Sequence, residues 1–193
     1  MVFVYLDVET YSPHDEPRFG DKIIAIGYEE VGGKLEVLKE WESSEKTVLS
    51  EFYNYLRGKL SYEKVRIIGF NVLMFDIIAL ATRLYRNSVD ELENIFQNFK
   101  RVYWEDLLRC LYPLNKFSFK GLSAEEIAGK LKIEASKYSN KEICKFYDEH
   151  EYGKIVEHLK SDIKFLKDLS YWLKQRTEDV RRILEEKKTK QRL

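Results

Sequence analysis

Residues 4–10 read VYLDVET, an apolar run interrupted by Asp7 and Glu9. Preceded by Val2 and Phe3, the run is rich in β-branched and aromatic residues and predicts a strand over Val2–Val8. Side chains two apart on a strand project to the same face. Asp7 and Glu9 therefore stand side by side where burial is expected, and two such carboxylates repel each other and resist leaving water. Something must neutralise them.

Working outward, a turn-rich loop, TYSPHDEPRFGD (10–21), follows the strand. KIIAIGYEE (22–30) and KLEVLKEW (34–41) are two strand-like runs joined at Val31, Gly32 and Gly33, a hairpin signal. Val48, Leu49, Phe52, Tyr55 and Leu56 recur at helical spacing and predict a helix over Ser43–Leu60, capped by Ser43 or Ser44. Val65–Phe70 reads as a strand, Met74–Tyr85 as a helix and Arg101–Glu105 as a fifth strand. Helices follow over Ser123–Leu131, Asn140–His150 and Lys154–Leu173. This order predicts an α/β layer protein with an antiparallel meander of three strands, later strands added in parallel, flanking helices and a helical C-terminal part.

The 193 residues suffice for one sizeable core, expected over 1–175, followed by a helical tail over 176–193. From Leu173 onward eight basic residues face four acidic ones, making this the one basic segment. A solvated helix with Glu–Lys pairs is the plain reading of the tail. With 44% hydrophobic and 34% charged residues the composition is that of a globular chain, not a disordered one. Lys plus Arg equals Asp plus Glu at 33 each, so net charge announces neither nucleic acid nor membrane. Bound divalent ions would supply the positive charge that a nucleic-acid partner needs. Two cysteines without CxxC spacing, and no basic-then-apolar leader, lead us to expect a reducing, cytoplasmic setting. The longest apolar stretch, broken by Asn71 and Asp76, is too short to span a bilayer.

Two further acids sit where apolar residues are expected. Ile155, Leu159, Ile163, Leu166, Leu169 and Leu173 share one helical face, and Asp162 falls roughly 20° from the direction of Ile155. His158, one turn earlier, neighbours it; the pair reads either as a structural couple on one helix or as part of a site. Asp76 follows the strand Val65–Phe70, at the carboxyl end where α/β folds place ligands. It also fits the first turn of a helix, stabilised by the dipole. Four carboxylates without a cysteine cluster suggest Mg²⁺ or Mn²⁺, and two such ions about 4 Å apart can clamp an in-line phosphoryl displacement.

The order of these motifs resembles the DEDD superfamily of 3′–5′ exonucleases, within it the proofreading domain of B-family DNA polymerases. DVET (7–10) matches the first motif, D-x-E; GFNVLMFD (69–76) the second, N-x3-F-D; VEHLKSD (156–162) stands where Y-x3-D belongs. DKIIAIG (21–27), VYWEDLL (102–108) and FKGLSAEEIAGKLKI (119–133) resemble connecting segments of that domain, so the likeness covers roughly Val2–Leu173. No polymerase palm signature is present. The departure is His158, which joins the residue type of the family's histidine branch to the spacing of its tyrosine branch.

The resemblance implies a ribonuclease-H-like fold and a stand-alone exonuclease domain releasing nucleoside monophosphates from single-stranded DNA, or from RNA. Asp7, Glu9, Asp76 and Asp162 would hold two Mg²⁺ or Mn²⁺ ions, and His158 would orient or deprotonate the attacking water. Thr10, Asn71 and Phe75 match positions that contact the 3′ end; Thr10 also reads as a strand end and Phe75 as a core phenylalanine. Asp106 reads as a cap or a site-lining acid. A decayed module that binds nucleic acid or a replication or repair partner is the alternative.

Overall fold

The computed structural model describes residues 1–14, 18–134 and 138–190, and of these it leaves the side chains of 140 and 179–190 undescribed. Five strands form one sheet in the order β3-β2-β1-β4-β5. These are β1 (Val2–Tyr11), β2 (Lys22–Glu30), β3 (Leu35–Lys39), β4 (Val65–Gly69) and β5 (Tyr103–Asp106). β1–β2 and β2–β3 pair antiparallel, while β1–β4 and β4–β5 pair parallel, which is the expected mixed sheet.

The helices are α1 (Glu45–Leu60), α2 (Asp76–Arg86), α3 (Leu92–Phe99), α4 (Leu107–Leu111), α5 (Ala124–Leu131), α6 (Asn140–Asp148) and α7 (Tyr152–Lys190). Ser44, not Ser43, caps α1, its Oγ accepting from the Thr47 N–H; the residues before it form a 3-10 turn, Glu40–Glu42. Two short helices escape the sequence reading. α3 is only 8 residues, too brief for periodicity to announce it, and α4 begins at once after β5, whose last residue caps it. β1 is longer than expected, reaching Tyr11, so the following loop begins at Ser12; its residues 15–17 lie outside the described residues. The stretch expected as a tail continues α7 to Lys190, and residues 191–193 lie outside the described residues.

Both sheet faces are covered, as parallel pairing requires. On one face Val4, Leu6 and Val8 join Val48, Phe52, Leu56, Leu80 and Leu84 in a core beneath α1 and α2. On the other, Ile68 packs with Leu107, Ile127, Ile163, Phe165, Leu166 and Leu169 beneath α4, α5 and α7. The alternation of β1 thus gives Val4, Leu6 and Val8 to the first core and turns Tyr5, Asp7 and Glu9 toward α7.

Two glycines bring backbones close. A Cβ on Gly27 of β2 would lie 3.2 Å from Leu159 of α7, so the glycine lets α7 settle onto the sheet. A Cβ on Gly69 would lie 2.8 Å from Val72 and 3.2 Å from the Leu6 carbonyl, where β4 ends beside β1. No helix among the described residues is long and apolar enough to cross a membrane.

Candidate active site

Register creates the site. β1 and β4 pair from Val2–Val65 to Tyr5–Ile68, one residue before β4 ends at Gly69. Asp7 and Glu9 continue past that end, and the chain leaving β4 turns back beside them to start α2 at Asp76. The turn is tight enough to hold Asn71 at φ 59°, a left-handed conformation that asparagine tolerates better than most residues. A register irregularity between Glu9 and Thr10 then re-aims the strand end.

Asp106 braces this turn. Its side chain is 3% exposed. Oδ1 accepts from the backbone N–H of Asn71 at 3.0 Å, Leu108 at 3.0 Å and Arg109 at 3.3 Å, and Oδ2 accepts from Leu73 at 3.3 Å. One carboxylate therefore caps α4 and fixes the segment that carries Asn71 and Asp76. Of its two sequence readings, the structure shows the cap.

From the other side α7 presents His158 and Asp162. His158 Nε2 lies 3.4 Å from Glu9 Oε1 and 3.2 Å from Asp162 Oδ2. Single donor atoms of Glu9, His158 and Asp162 all fall within 4.8 Å of one another. Asp7, Glu9, Asp76, His158 and Asp162 line one cavity of about 820 Å³, together with Thr10, Asn71 and Phe75. Every sequence-derived site residue is thus placed in a single pocket. Phe75 stands half-buried on the wall, its ring centroid 6.1 Å from that of Phe19, rather than inside either core.

The electrostatics record the crowding. Burial pushes Asp7 up to about 6, partly offset by a hydrogen bond from the Val8 backbone. Burial and then the charge of Asp7 raise Asp76, against which the same Val8 backbone also acts, so both carboxylates flank one amide. Glu9 is raised well above the carboxylate range by burial and by Asp7, Asp162 and Asp76. Asp162 is pushed up to about 9 by burial, Asp7 and Glu125. Burial lowers His158 to about 4 against the pull of Glu142 and Glu125. Two carboxylates so close would ordinarily hold an imidazole charged, but these acids are themselves driven toward their neutral forms.

Sequence reasoning missed Glu125, Tyr138 and Lys141. They reach the pocket wall from α5, from the segment before α6 and from α6 itself. Glu125 lies inside the Ser123–Glu126 capping box, a local signal for a helix start that says nothing about the distant Asp162. The described wall sets Asp7, Glu9, Asp76, Glu125 and Asp162 against a single lysine, Lys141.

These residues fit divalent cations. Carboxylate oxygens with one imidazole nitrogen form a donor set for a hard or borderline ion. An ion would also convert the mutual repulsion of the acids into attraction. His158 is 4% exposed, and its Nδ1 has no hydrogen-bond partner among the described residues, so this polar side chain is held in place at a cost that ordinary packing does not explain.

Comparisons with known proteins bear on the fold. The chain is similar in fold to a family B DNA polymerase from the hyperthermophilic archaeon Pyrobaculum calidifontis, with TM-score 0.68 and 14% identity over 89% of this chain and 24% of that one. It is similar to a product-bound exonuclease I, with TM-score 0.56 and 15% identity over 90% of this chain and 43% of that one. Exonuclease I of E. coli in complex with a dA16 oligonucleotide gives TM-score 0.51 and 15% identity over 89% and 42%. The chain therefore spans 24% to 43% of the length of these proteins. No curated protein sequence matches it. The RNase_H_2 family profile, described as RNase_H superfamily, matches residues 4–174. A match across that span, over a mixed five-stranded sheet with acids gathered where β1 outruns β4, means that the chain belongs to the RNase H superfamily.

Proposed function

We propose that the protein is a metal-dependent 3′–5′ exonuclease that hydrolyses single-stranded DNA, or RNA, to nucleoside monophosphates. The observation that carries this reading is the convergence of Asp7, Glu9, Asp76 and Asp162 with His158 in one pocket. Exonuclease I in complex with an oligonucleotide shares the fold, which supports a nucleic-acid substrate. Two Mg²⁺ or Mn²⁺ ions held by the four carboxylates would supply the positive charge that activates the attacking water and stabilises the departing 3′ oxygen.

The chain's own residues do the rest. Asp7 and Glu9 come from β1, which β2 pairs along both residues and β4 anchors up to Tyr5, so their positions are set before substrate arrives. His158, neutral near pH 7, offers an imidazole that can orient the attacking water; burial, which lowers it to about 4, makes it a weak acceptor of that water's proton. Phe75 lies on the wall with its ring available to a terminal base, and Asn71 and Thr10 offer polar groups to the last nucleotide. The rival reading, a binding module with a decayed centre, is disfavoured by the presence of all four acids. A cytoplasmic role beside replication or repair proteins goes with the exonuclease reading.

DNA and RNA 20-mers labelled at the 5′ end, incubated with Mn²⁺ or Mg²⁺, test it. A metal-dependent ladder shortening from the 3′ end is expected, with a circular single strand left intact. Internal cuts, or no digestion with either ion, contradict the proposal.

A further inference from the structure

The loop between α4 and α5 displays aromatic rings to water. Phe117 is 68% exposed, Leu114 64% and Phe119 46%. Tyr112 is their half-buried pedestal. Its ring stacks on Phe119 at 4.3 Å and 20°, and meets Phe117 edge-on at 5.6 Å and 83°. The Arg109 guanidinium sits 5.0 Å over the Phe119 ring.

This arrangement is built, not frayed. Lys116 and Phe117 are consecutive non-glycine residues at φ 53° and 58°, a left-handed conformation that the Cβ of an L-residue disfavours. Asn115 holds the loop against that cost, its Nδ2 donating to the Ser118 carbonyl at 2.6 Å and the Lys120 carbonyl at 3.1 Å. The Phe117 N–H donates to the Tyr112 carbonyl at 3.0 Å. Strain retained under such bracing points to use.

Charge selects the partner. Residues 107–124 contain no Asp or Glu, while Arg109, Lys116 and Lys120 fall among the rings. Aromatic faces interleaved with uncompensated cations suit a chain of stacked bases and phosphates. The loop is also continuous with the site, since Ser123, Ala124 and Glu125 directly after it line the cavity. Asp106, which caps α4 before the loop, holds the Asn71 turn of that same cavity.

We propose that this loop is a stacking platform for single-stranded nucleic acid, holding the strand upstream of the end that enters the carboxylate pocket. Phe117 and Phe119 offer the stacking faces, and Lys116, Lys120 and Arg109 meet phosphates. The proposal rests on the exonuclease reading.

The test compares wild type with Phe117→Ala/Phe119→Ala and Lys116→Glu/Lys120→Glu on dT3, dT20 and rU20. Because these side chains are exposed, the variants should melt like wild type. Turnover of dT3 is expected to be unchanged. KM for the 20-mers should rise by about tenfold per ring removed. The charge variant should flatten the salt dependence of 20-mer binding. Loss on dT20 alone, rU20 alone or both supports the platform and identifies the sugar it accepts. Wild type that degrades the oligomers while the variants keep its KM on dT20 and rU20 overturns the platform alone. Wild type that neither binds nor degrades any of them overturns the exonuclease reading, and the platform with it.

Discussion

Asp162 shows what the fold tolerates for the sake of this pocket. It lies on the apolar face of α7 among Leu159, Ile163 and Leu166, and it is held away from ionisation by burial, Asp7 and Glu125. Replacing it should relieve the crowding. Asp162→Asn is expected to raise the melting temperature of the metal-free protein by about 3 °C, the equivalent of about 1 kcal/mol at this length. Hydrolysis should fall by at least about a hundredfold. Differential scanning calorimetry with a nuclease assay checks both; a variant that melts lower and still digests normally contradicts the role given to Asp162. The pH dependence follows from the same residues. Asp7 rises from 3.8 to about 6 and Asp162 from 3.8 to about 9, so the unfolded chain releases these protons first. Their contribution is full below about 4 and lost as pH climbs through 6 and then 9. His158, lowered from 6.5 to about 4, acts oppositely, adding stability as pH rises between those values. Above 6.5 only the acids' loss remains. Metal-free protein should therefore melt lower at pH 9 than at pH 6.5, and Mn²⁺ should raise Tm more at pH 9, because it binds the ionised carboxylates. Thermal melts with EDTA or Mn²⁺ at the two pH values read this directly.

At the scale of elements, the site depends on where strands stop. β4 ends opposite the middle of β1, and the vacant edge is filled by the turn that Asp106 ties down. Asp106→Ala leaves four buried or partly buried N–H groups without their acceptor. It is expected to cost about 3 kcal/mol, combining a lost cap with unsatisfied amides. It should also weaken Mn²⁺ affinity, since Asp76 starts the helix that the turn leads into. Urea denaturation and a metal titration separate the two effects. This level was only partly legible in the sequence. β1, β2 and β4 announce themselves as apolar runs rich in β-branched and aromatic residues, and α1 and the apolar face of α7 by periodicity, because each helix buries one long face. α3 and α4 do not, being too short for a period to repeat. Asp106 could be read as a cap from its place before Leu107, but its grip on Asn71 and Leu73 is long-range and leaves no local trace. Glu125 and Lys141 were invisible for the same reason.

For the whole molecule, the sheet brings residues from β1, the β4–α2 turn and α7 to one end, and no pair of these is close in sequence. The four acids were legible because each violates its local pattern, two on a buried strand, one beside an apolar helix start and one on an apolar helix face, and because the motifs carrying them follow one another in a familiar order. His158 was legible as a neighbour of Asp162, whereas its approach to Glu9 needed the packing of α7 over β1. Asp7, Glu9, Asp76 and Asp162 stay together, on this account, because divalent ions offset their repulsion. Calorimetric titration of the full chain with Mn²⁺ near neutral pH tests that most directly. About two ions per chain should bind in the wild type, and the Asp7→Asn/Asp162→Asn double variant should bind none at the same concentrations. A wild type that takes up no Mn²⁺, or a double variant that binds as well as the wild type, would contradict it.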